Sequence, residues 1–169
     1  MAETSTPTIQ RLKIGEGYIS GNVSIFLALL ALGAVLCFHF PEYFTTPEFR
    51  EVYTGEMMKT LLLGVIIASF FFAALSFLLS QRKKRAVIGI VISALAVAAG
   101  GLEVQARTVE KTVWHIGLDW LLLDLLLLAV IFVPIEMAFP KNHNQSRFHA
   151  EWRTDLVYFV ISHLFVQFF

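Results

Sequence analysis

Five histidines and a few acids inside apolar runs are the residues of this 169-residue chain that could do chemistry. A metal site built on helices needs imidazoles that share a face, which means spacings of three or four residues. His39, His115, His143, His149 and His163 never come that close; His143 and His149 are six apart in a polar stretch. The sequence therefore predicts no metal ligands and no catalytic residues among its own positions. His39 and His115 each stand beside aromatic residues at the end of an apolar run, the usual place for an interfacial side chain. Asp124 is different, because it lies about 9 Å inside an apolar run at helical rise. A carboxyl group there is either a site or proton-relay residue or one half of an interhelical hydrogen bond. Near the C-terminal end, Asp155, Tyr158 and Ser162 fall at i, i+3 and i+7, with His163 about 80° round the helix from Asp155. This stripe either faces a catalytic part absent from the sequence or bonds neighbouring helices.

The elements that must carry these residues are membrane spans. Hydrophobic residues make up 57% of the chain and charged residues 15%. With a mean hydropathy of +0.70, this composition belongs to an integral membrane protein bound to a lipid bilayer. Formal net charge is zero, which offers nothing to a nucleic acid. The single Cys37 sits in an apolar run and reads as a small packed residue. No short apolar core with a small-residue cleavage site opens the chain, so the first apolar segment is expected to remain as an anchor.

Residues 1–21 read as a flexible cytoplasmic tail and residues 22–140 as a four-helix transmembrane region. Asn22 is placed to cap a first span at 23–40, and spans at 57–79, 86–101 and 117–139 follow. Residues 41–56 form a loop with two prolines and room for a short surface helix. Gly89, Ser93, Ala96 and Gly100 recur at i, i+4, i+7 and i+11, a face of small residues that lets another helix approach closely. Pro134 is expected to kink the fourth span, and Asp119 to lie near the membrane surface. Residues 141–169 complete the chain as a cytoplasmic cuff and the start of a fifth helix, with Thr154 or Asp155 as its cap. From residue 156 to 169 that helix rises only about 21 Å, short of the hydrocarbon core, so the sequence reads as a fragment.

Arg82, Lys83, Lys84 and Arg85 form a tight basic turn that the positive-inside rule keeps in the cytoplasm. With the N-terminus inside, nine basic residues are cytoplasmic: these four, Arg11, Lys13, Lys141, Arg147 and Arg153. Only Arg50, Lys59, Arg107 and Lys111 lie outside. The expected location is a membrane, with the N-terminus cytoplasmic.

Glu151-Trp152-Arg153-Thr154-Asp155-Leu156, followed by Tyr158-Phe159 and His163-Leu164, resembles a known segment. It is the one just before the histidine boxes in bacterial members of the fatty acid hydroxylase/sterol desaturase superfamily. Residues 117–124 and 132–140 resemble the helix that precedes that segment in those proteins. The resemblance covers residues 117–169 and rests on flanking positions, not on metal ligands. It implies an oxidoreductase with two irons, dioxygen and an external electron donor, acting on a C–H bond of a lipid or sterol-like substrate. The H-x-x-x-H and H-x-x-H-H boxes are absent here and are expected beyond Phe169, on the cytoplasmic side. On this reading the chain is the N-terminal membrane-anchoring part and holds no iron itself. The rival reading is a non-catalytic membrane scaffold or transporter-associated subunit that uses the Gly89/Ser93/Ala96/Gly100 face to bind a partner.

Overall fold

In hydrocarbon every backbone amide must find its partner within the protein, and a run of about 18 or more apolar residues does so as a helix. The computed structural model describes residues 17–52, 54–81, 83–101, 103, 115–139 and 151–165. The tail 1–16, residues 104–114 of the polar hairpin, the loop 140–150 with His143 and His149, and residues 166–169 lie outside the described residues. The chain is all-α, with no strand among the described residues. Four helices are long and apolar enough to cross a membrane: Ile19–His39, Gly55–Leu79, Lys84–Gly101 and Leu118–Glu136.

Helix α1 (Tyr18–His39) is followed by two short helices, α2 (Pro41–Phe44) and α3 (Pro47–Val52), in the segment expected to be a loop. Each short helix starts on a proline, whose fixed φ and missing N–H suit a first helical position. Thr54 then caps α4 (Gly55–Leu79) by accepting a hydrogen bond from the Met57 amide at 3.2 Å. Helix α5 (Lys84–Ala96) runs into a π turn at Val97–Gly101, and α6 (Leu118–Leu127) runs into another at Leu128–Phe132. Helices α7 (Val133–Ala138) and α8 (Trp152–Phe165) complete the order.

Three sequence expectations about helix ends are corrected. Asn22 does not cap α1, which begins four residues earlier. The reason is the Gly17 carbonyl, which accepts from the Gly21 amide, from Ser20 Oγ and, across the bundle, from Ser76 Oγ at 2.7 Å. Gly17 itself takes φ 68°, a left-handed turn that glycine adopts without strain. The tail therefore ends before Tyr18, not at residue 21. Thr154 and Asp155 likewise sit inside the first turn of α8, where both their amides reach back to the Glu151 carbonyl. Gly100 does not continue the small-residue face on regular helix: its φ of 96° breaks the helix within the π turn.

Pro134 has its effect one turn upstream. Proline lacks an N–H and clashes with the carbonyl four residues before it. The chain widens there, and the Val133 amide bonds to the Leu128 carbonyl, five residues back.

Helices α1, α4 and α5 pack on one another, α6 leans on α1, and α8 touches α6. The core where α1, α4 and α5 meet contains Ala31, Val35, Leu62, Ile66 and Ala96. Besides Val35, the largest fully buried side chains are serines: Ser24, Ser69, Ser76 and Ser93. Large apolar side chains such as Leu29, Ile67, Phe71, Val91 and Val130 point outward. Small and hydroxylic residues inside with bulky apolar ones outside is the arrangement of helices packed in lipid, where close approach and interhelical hydrogen bonds hold the bundle. The fold thus has the character of an integral membrane protein.

Candidate functional site

Of the polar residues singled out inside apolar runs, two meet. His163 Nε2 on α8 lies 3.0 Å from Asp124 Oδ2 on α6. The other ring nitrogen, Nδ1, lies 3.1 Å from the Phe159 carbonyl, and the Phe159 ring packs on the imidazole at 4.2 Å between centroids. A carbonyl can only accept, so Nδ1 carries the hydrogen in that contact. Both residues are half-buried, and both ring nitrogens are engaged.

The remaining stripe residues stay outside this contact. Asp155 and Tyr158 are exposed, and the exposed Ser162 hydroxyl donates to the Phe159 carbonyl of its own helix. The stripe does not converge on one site. Gly89, Ser93 and Ala96, by contrast, are all buried. A Cβ on Gly89 would run into the Ser24 side chain, so α1 and α5 touch there at backbone distance. Ser69 Oγ donates to the Ser24 carbonyl at 2.9 Å and lies 2.7 Å from Ser93 Oγ, joining α1, α4 and α5 through one hydroxyl.

Asp119, expected near the membrane surface, is buried by protein. It sits in the first turn of α6, and its carboxylate accepts from the Thr46 amide at 3.1 Å and from Thr46 Oγ1 at 3.2 Å. The sequence signal for this contact was weak, since Thr46 lies 73 residues away in a loop.

A cavity of about 190 Å³ opens between α1, α4 and α6 beneath the α2–α3 segment. Apolar side chains dominate its wall, with Cys37, Thr45, Arg50 and Asp119 at its polar end. Arg50 Nε and Nη2 are buried there with no hydrogen-bond partner among the described residues. Sequence reasoning treated Arg50 only as a topological charge. Elsewhere, His39 Nε2 meets the Ala99 carbonyl in the π turn, and His115 is half-buried.

Among the described residues no three His, Cys, Asp or Glu side chains gather as a metal would require. No known family model, curated protein or solved structure matches this chain.

Proposed function

We propose that this chain is the membrane-anchoring part of a di-iron oxidoreductase like those of the fatty acid hydroxylase/sterol desaturase superfamily, acting on a lipid C–H bond. One observation supports it most: the two stretches that carry the resemblance pack together. Helix α8 carries Trp152-Arg153-Thr154-Asp155-Leu156 of one run, α6 carries Leu118 to Asp124 of the other, and they join through His163 and Asp124. In this reading the pair is a positioning contact, which fixes the helix leading toward the reaction centre against the helix before it.

The described residues do not fit an iron site. No group of three candidate ligands converges among the described residues, and His163 has committed both nitrogens. Iron in the whole protein would be held by residues other than these, together with the external electron donor that the resemblance implies. The spans would anchor the protein and shape apolar access for a lipid or sterol-like substrate. The positive-inside count supports a cytoplasmic N-terminus, and the resemblance to bacterial members of the superfamily supports a bacterial inner membrane setting.

The scaffold or transport-subunit reading fares less well. It needs the Gly89/Ser93/Ala96 face for a partner, and that face is buried against the chain's own α1 and α4. The test is the natural gene downstream of the Phe169 codon. An open frame soon encoding H-x-x-x-H and H-x-x-H-H is expected, and a stop codon there overturns the proposal.

A further inference from the structure

We infer that the cavity between α1, α4 and α6 binds one anionic amphiphile from the bilayer, its carboxylate or phosphate on Arg50 and its chain among the leucines. The inference does not rest on the proposed oxidoreductase role. It begins with the guanidinium. Nε and the Nη2 beside it point their hydrogens in parallel, the side-on fork that takes two oxygens of one carboxylate or phosphate. In Arg50, which lines the cavity, these two atoms are covered by protein and unpartnered among the described residues. Covered N–H groups without acceptors are costly, and an oxyanion that reached them would remove that cost.

The other charge in the wall does not serve that need. Asp119 has both carboxylate oxygens engaged by Thr46, in the first turn of α6. The rest of the cavity argues against a bare ion. Leu30, Leu62, Val65, Leu122 and Leu126 line it, surfaces that suit an alkyl chain. The location suits a lipid as well. Helix α1 ends at His39, α4 begins at Gly55 and α6 begins at Leu118, so the polar end lies where three spans reach the same headgroup layer.

The experiment uses the full chain in dodecyl maltoside micelles and follows thermal unfolding by circular dichroism. The added probes are oleate, a long-chain phosphatidic acid, oleyl alcohol and inorganic phosphate. Oleate or phosphatidic acid should raise Tm by roughly 3 °C or more at saturation, and the larger shift identifies the headgroup source. Oleyl alcohol and inorganic phosphate should shift it by much less. Arg50→Gln should abolish the response, Arg50→Lys should weaken it by removing the fork while keeping the charge, and Ala34→Leu should reduce it by filling the cavity. Lys83→Gln, at the opposite end of the bundle, should respond as the native chain does. A native response in Arg50→Gln or Ala34→Leu overturns the inference. So does an equal effect from oleyl alcohol, which would mean chain partitioning alone, or from inorganic phosphate, which would mean an adventitious ion only. If Arg50→Gln does not fold, Arg50→Lys and Ala34→Leu decide the matter by the same criteria.

Discussion

His163 and Asp124, 39 residues apart in sequence, face each other at 3.0 Å across α6 and α8, while the same imidazole is tethered to its own helix at Phe159. The ring is thus held from both sides, and it gives α8 a polar fastening to α6. Polar contacts between membrane helices are worth about 0.6–2 kcal/mol. Replacing Asp124 with Ala should speed amide hydrogen exchange in α8 by roughly 3- to 30-fold, as that range requires. Exchange in α1, α4 and α5 should hardly change. Equal acceleration in all helices would show that the pair supports the whole bundle and not the docking of α8.

The close approach of α1 and α5 at Gly89 predicts a sharp contrast between two glycines. A side chain at Gly89 collides with Ser24, whereas a Cβ on Gly64 meets nothing within 4 Å. Gly89→Leu should lower stability by about 1–3 kcal/mol, the usual cost of overpacking. Gly64→Leu should be neutral or slightly stabilising, because it adds helix propensity on an outward face. Unfolding in mixed micelles compares the two directly.

Ser69 is the junction of three helices, and its loss should show coupling. Ser69→Ala removes the bond to the Ser24 carbonyl and strips the buried Ser93 hydroxyl of that partner, at about 1–3 kcal/mol. Adding Ser93→Ala should cost less than its effect alone, since the hydroxyl it removes has already lost its contact with Ser69. Strict additivity in the double-mutant cycle would mean that the two hydroxyls do not interact.

Orientation can be read by labelling. In a Cys37→Ser background, Gln81→Cys should react with a membrane-impermeant maleimide only after the cytoplasmic face is opened. Glu48→Cys should react in intact cells. The reverse pattern would invert the proposed topology.

The purified 169-residue chain should contain far less than one iron atom per molecule by elemental analysis. Stoichiometric iron would mean that residues outside those described, such as His143 and His149, complete a site that spacing alone does not suggest.

Much of this molecule was legible in its sequence. Long apolar runs have one backbone solution in hydrocarbon, so the all-α class and the existence of four span-length helices followed from composition and run length. The small-residue periodicity also pointed to a close helix contact at Gly89, Ser93 and Ala96, because a helix places such positions on one side whatever surrounds it. Helix ends were harder to read. Asn22 and Thr154 looked like caps, but a serine from α4 drew the start of α1 back to Gly17, and the Glu151 carbonyl started α8.

Only the tertiary structure decided which polar groups meet. Asp124 reads from the sequence as a relay or an interhelical bond, and the fold puts His163 of another helix 3.0 Å from it. Asp119 found Thr46, and Arg50 faces a cavity, through contacts that no spacing rule links. The physical reason is that periodicity follows from the geometry of one helix. Partner choice depends on how several helices pack, and in these contacts it joins residues tens of positions apart.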